Sequence, residues 1–251
     1  MTFADGEGSV TVPDDWRQGR TLYGGLTAAV CLEAALRVVD APPPLRSAQV
    51  SFIGPASGPI KVRAEVLRQG KSALFVGADL YGEKGLAGRA VFTFGAGRES
   101  QFDLNLVAAP DVPSYDQSED FFHGGVGPAF TQHFEPRLAK GARPITGSSE
   151  YDHYIWVRHR NETPPSSTAL LALADMPPPA MLPMFTEFKP ISSINWHLNF
   201  LVDAPTTTDG WWLMQSCAEH AVDGYSSQNM YVWNTDGVAV IAGRQSVVIF
   251  A

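Results

Sequence analysis

Cysteine is scarce: there are two in 251 residues, Cys31 and Cys217, one in each half. Both lie in apolar runs, so buried thiols are expected and not a disulfide framework. No CxxC or HExxH spacing occurs, so no metal site is expected and nothing calls for a cofactor. Basic residues are also few. Eighteen Lys and Arg stand against 26 Asp and Glu, a net charge of −8, which argues against a general nucleic-acid binder. No apolar run approaches the roughly 18 residues of a membrane span. The opening MTFADGEGSV lacks a charged segment followed by an apolar core, so no signal peptide is expected and a cytoplasmic protein is the default. GxSxG is missing, which disfavours an α/β-hydrolase esterase, and no phosphate loop is present.

What is present is a repeated pattern. SVTV (9–12) reads as a strand. LTAAVCLEAALRVV, opened by Leu22-Tyr23-Gly24-Gly25, is apolar on almost every face and reads as a buried helix. Asp40-Ala41-Pro42-Pro43-Pro44 stops it, because proline cannot continue a helix. Four strand-like runs follow: 47–53, 60–69, 72–82 and 86–95, separated by glycine turns. Lys61, Arg63 and Glu65 alternate with Ile60, Val62 and Ala64, so one face of that sheet is solvated and the other covered.

The same order returns later. SEYDHYIWVRHR (149–160) reads as a strand and Pro164 to Ala174 as an apolar helix. Asp175-Met176-Pro177-Pro178-Pro179 matches the first proline stop and reads as a stop only. Ser192-Ser193-Ile194-Asn195 matches Arg46-Ser47-Ala48-Gln49, and Ala242-Gly243-Arg244-Gln245 matches Ala87-Gly88-Arg89-Ala90. Three matches in one order indicate a duplicated α+β unit, two copies packing like a two-fold dimer in one chain. The expected organisation is an N-terminal unit over 1–95, a connection over 96–143 and a C-terminal unit over 144–251. The connection has no clear period. It is expected to pack on the surface through Phe102, Tyr115, Phe121, Phe122, Phe130 and Phe134.

A hydrophobic helix wrapped by an antiparallel sheet, used twice, is the double hotdog arrangement. LYGGLTAAVCLEAA, RSAQVSFIGPASGPIKVRAEVLRQGKSALFVGADLYGEKGLAGRAVFTFG, WVRHR, LLALADMPPPA and WNTDGVAVIAGRQSVVIF resemble the acyl-CoA thioesterase II type of that superfamily. The resemblance implies an α+β fold with two sheets joined into one, each around a long helix. It implies hydrolysis of a fatty acyl-CoA thioester, and a water held by an Asp, a Thr or Ser, and a Gln of the second hotdog. The Gln falls on Gln245 and the Asp position on Asn195. The hydroxyl position falls near Glu219, with Ser216 and His220 beside it. Tyr23, Gly24 and Gly25 form the helix entry expected to face the substrate. Asn195 can orient water but cannot take its proton, so the expectation includes weak activity unless Glu219 supplies the carboxylate. The alternative is a hotdog that binds acyl-CoA or another apolar ligand without hydrolysing it; a dehydratase, which needs an Asp or Glu paired with a His at the helix entry, is a weaker third. Gln245 has Ala90 as its counterpart, which implies one site per chain. Trp211 and Trp212 read as core or as acyl-pocket lining. Exposed sheet edges leave room for a homo-oligomer.

Overall fold

The computed structural model describes residues 2–4, 6–123 and 127–250. The first half holds β1 (Thr2–Ala4), β2 (Glu7–Val12), β3 (Arg17–Gln18), β4 (Thr21–Leu22), α1 (Gly24–Arg37), β5 (Leu45–Phe52), β6 (Gly58–Gln69), β7 (Leu74–Gly82) and β8 (Gly85–Phe94). Then come β9 (Glu119–Asp120), β10 (Phe134–Lys140), β11 (Asp152–His159), α2 (Ser167–Ala174), β12 (Ile191–Phe200), β13 (Trp212–Val222), β14 (Tyr225–Asn234) and β15 (Ala239–Ile249). Except for the small β3–β4 ribbon, these strands form one antiparallel sheet ordered β1-β2-β6-β7-β8-β5-β12-β15-β14-β13-β11-β10-β9. The two halves join where β5 pairs β12, Ser51 opposite Asn195 through Ser47 opposite Asn199. The edge strands β1 and β9 span three and two residues, which limits pairing with another chain.

The helices pack on the sheet and on each other, α1 against β6, β7 and β8 and α2 against β11. α1 buries Ala28, Cys31, Leu32, Ala34 and Ala35 completely. α2 is shorter than expected, only two turns, because Pro164 and Pro165 precede it and Ser166 caps it by accepting the Ala169 N–H at 3.0 Å. The start of α1 meets the end of α2.

One row of inward positions crosses the whole junction. Ala64, Ala78, Ala90 and Val50 come from the first half, followed by Trp196, Gln245, Gln228 and Ala218 from the second. The alanine pair of one half is a glutamine pair in the other, so the duplication is broken at one place.

The segment read as a connection does more than connect. It supplies β9 and β10, and β10 pairs β11. Phe121, Phe130 and Phe134 are buried, whereas Phe102 is 78% exposed and anchors nothing, contrary to expectation. Tyr115 stacks on Trp211 at 5.0 Å and the Trp156 indole donates to the Pro113 carbonyl, which straps the segment over the outer face of the second half. Trp211 belongs to that outer cluster and Trp212 to the core. Cys31 is buried, which pushes its thiol up to about 12, and Cys217 is half-buried; both are free. Among the described residues no helix is long and apolar enough to cross a membrane.

Candidate active site

The start of α1 is built to let another group come close. Tyr23 is its N-cap, and the Tyr23 hydroxyl donates to the Ala172 carbonyl at 2.8 Å, tying α1 to α2. The ring of Tyr23 stacks on Phe130 at 3.9 Å. A Cβ on Gly25 would run into the Ala172 carbonyl and the Tyr23 ring. A Cβ on Gly24 would lie 2.6 Å from Oδ2 of Asp175. Glycine at both positions therefore permits the approach of α2 and of one carboxylate.

Asp175 is that carboxylate. It is the C-cap of α2, where the chain turns into the proline segment. Burial raises its pKa from the ordinary 3.8 to about 7, partly countered by hydrogen bonds from Gln245 and from the Gly25 N–H. It sits between two helix ends of opposite sign. The C-terminus of α2 disfavours its charge and the N-terminus of α1 favours it.

The amide that reaches Asp175 has its orientation imposed. The Ala180 N–H donates to Gln228 Oε1 at 2.9 Å. Gln228 Nε2 must then be the donor to Gln245 Oε1, at 3.1 Å, and Gln245 Nε2 the donor to Asp175 Oδ1, at 3.0 Å. A backbone N–H can only donate, so the chain runs one way and ends on an acceptor. Asp175 and Ala180 are the two ends of the proline segment, so the glutamine pair also pins that segment to β14 and β15.

Gln245, Gly24, Gly25 and Tyr23 are thus brought together. Asn195 and Glu219 are not. Trp196, Leu198 and Phe200 point inward on β12, so Asn195, one residue out of phase, is exposed on the outer face. Glu219 is also exposed, and its carboxylate is held by Asn229 and Arg244. Ser216 points inward and is buried; His220 is exposed. The carboxylate that meets Gln245 and the start of α1 is Asp175, which reads in the sequence as a helix stop. Gln228 was missed as well, although Met230 and Val232 on the same strand fix its inward parity.

Two cavities meet at Asp175, sharing Gln18, Ile191 and Ser193. One, about 340 Å³, includes Thr21, Gly24, Thr27, Phe52, Ala87 and Ser192. The other, about 580 Å³, includes Phe121, Phe122, Phe130, Met176, Leu182 and Phe188, and reaches Gln245. Among the described residues the first half has no equivalent site: Asp40, the counterpart of Asp175, is exposed, and Ala78 and Ala90 replace the glutamines.

Comparison with known proteins agrees with this architecture. A protein of unknown function with a hot dog fold from Alicyclobacillus acidocaldarius superposes with a TM-score of 0.90 at 24% identity, covering 100% of this chain and 95% of that one. A putative thioesterase II from Thermobifida fusca YX gives 0.84 at 16% identity, covering 99% and 94%. The acyl-CoA thioesterase II TesB2 from Mycobacterium marinum gives 0.79 at 17% identity, covering 99% and 94%. No curated protein matches the chain in sequence. The family models described as acyl-CoA thioesterase N-terminal domain and acyl-CoA thioesterase C-terminal domain match residues 12–95 and 108–249. With both domains matched in order on a double hotdog fold, this chain belongs to the acyl-CoA thioesterase family.

Proposed function

We propose that the chain hydrolyses an acyl-CoA thioester with Asp175 as general base. The observation that carries this reading is a half-buried carboxylate, pushed up to about 7 by desolvation, at the meeting point of two cavities and beside a helix N-terminus. A base of that pKa is half ionised near neutral pH and still able to take a proton from water. Water seated against Asp175 attacks the carbonyl carbon, and Asp175 takes its proton. The carbonyl oxygen becomes an oxyanion facing the N-terminus of α1, beside Gly24. The C–S bond then breaks, the thiolate leaves, and the proton on Asp175 passes to it. The products are a carboxylic acid and free CoA. Gln245 spends one amide hydrogen on Asp175, and its second is free to donate to the water or to the thioester oxygen.

The binding-only reading rested on Asn195 replacing a base, and Asp175 removes that motive. Thiol release from acetyl-, hexanoyl- and dodecanoyl-CoA tests the proposal. Turnover of at least one, saturating with substrate and one thiol per acid formed, is expected. Saturable binding without any thiol release would return the chain to the binding reading.

A further inference from the structure

The two cavities differ in kind, and the difference assigns them. The larger is walled by four phenylalanines, Met176, Leu182 and the run Pro177-Pro178-Pro179. Its polar lining is Gln18, Ser193, Asp175 and Gln245, together with Thr131, whose hydroxyl donates to the Pro128 carbonyl, and Arg143. Arg143 is already engaged by the Phe121 carbonyl and the Glu119 carboxylate. Phe188 is 74% exposed and sits on this wall, so the cavity opens to solvent beside it. The smaller cavity shares Gln18 and Ser193 with the larger and adds Thr21, Thr27, Ser192 and Gly24 among apolar neighbours. A pantetheine arm has two amides that need hydrogen-bond partners when desolvated, and an acyl chain has none.

We propose that the acyl group lies in the aromatic cavity and that the pantetheine arm reaches Asp175 through the smaller one. This rests on the thioester reading of the site. The wall of the acyl cavity then comes mostly from two places outside the regular elements of the duplicated unit. One is the segment from Phe121 to Ile145, between the halves; the other is the segment from Met176 to Phe188, after α2. Acyl selectivity accordingly belongs to Phe122, Leu182 and Phe188 and not to the helix–sheet interior. Phe122 and Leu182 are half-buried, so they can be changed without opening the core. A wall of phenylalanine and proline is stiff, and favours acyl groups long enough to cover it over acetyl.

The test uses S-alkyl-CoA thioethers, which bind and cannot be hydrolysed, so it stands apart from turnover. Affinities of the S-methyl, S-hexyl and S-dodecyl compounds are measured by calorimetry on the full chain. Each methylene that enters the cavity is expected to tighten binding about fourfold. The dodecyl compound should therefore bind at least a hundredfold tighter than the methyl one. Leu182→Trp fills the aromatic cavity and should reduce that ratio at least tenfold while leaving S-methyl-CoA within twofold. Phe188→Ala, at an exposed position where folding is not at risk, should weaken only the longer compounds. Ser192→Trp fills the other cavity and should weaken all three by one factor. The assignment is overturned if Ser192→Trp changes the dependence on chain length while Leu182→Trp and Phe188→Ala do not, or if the wild type shows no such dependence. Dodecanoyl-CoA turnover is recorded on the same samples. Its absence with the affinity pattern intact sinks hydrolysis and leaves the cavity assignment standing.

Discussion

Asp175→Asn is expected to lower kcat by about 10²–10⁴-fold, the range for losing a general base, and to leave a folded protein. Asparagine keeps the shape and an oxygen for Gln245 to bond, but it cannot accept the proton from water. The same change should alter stability in a way that separates it from damage. Burial raises the native pKa of Asp175 from 3.8 to about 7. Between those two values the native state holds a proton that the unfolded chain has released. The sign therefore runs against the usual carboxylate. This group's contribution to stability falls as pH rises from about 4 to about 7, by up to a few kcal/mol, and is flat above. Asp175→Asn removes that slope, so the variant should melt no lower than the wild type at pH 8. Asn195→Ala and Glu219→Gln, assayed alongside, should stay within about twofold of wild type, since both side chains lie on the outer face. A retained rate in Asp175→Asn, or a collapse in either outer-face variant, would move the chemistry elsewhere.

Gly24→Ala is expected to have the next largest effect. Its Cβ would come 2.6 Å from Asp175 Oδ2 and 3.2 Å from the Phe52 ring. The carboxylate cannot simply turn away, because Oδ1 is held by Gln245 at 3.0 Å. It has to shift, and a displacement near 1 Å costs about 10²-fold in rate. Alanine is otherwise the better helix residue, by about 1 kcal/mol in a helix interior, so melting should change little while kcat falls. Thermal unfolding and kcat measured together decide this. A rate within threefold of wild type would mean that the carboxylate does not need its present position.

Much of the architecture was legible because it rests on periodicity. Alternation along 60–66, the all-round apolar helix at 24–37 and the repeated proline stops follow from which faces are covered. The site was harder to read. Gln245 stood out as an amide in an apolar strand, and Gly24-Gly25 as a close-approach pair. Asp175 did not stand out, because an aspartate before prolines at a helix end is an ordinary stop, and its twin Asp40 is one. What distinguishes it is the meeting of the start of α1 with the end of α2, which brings Gly24 against its carboxylate. Asn195 matches a family motif by position, yet it lies on the outer face of β12. Trp196 and Leu198 give that answer by parity alone. The wall from Phe121 to Ile145 has no period, so only the folded chain reveals what it encloses.

The most direct measurement is the pH dependence of kcat/KM for a turned-over acyl-CoA, in the wild type and in Gln245→Leu. Asp175 as base predicts a rate that climbs with pH through a single ionisation near 7 and then levels. Losing the Gln245 hydrogen bond, which favours the carboxylate, should move that ionisation to higher pH and lower the plateau. A wild-type profile that is flat between pH 5 and 9, or an ionisation that Gln245→Leu leaves in place, would contradict the assignment of Asp175.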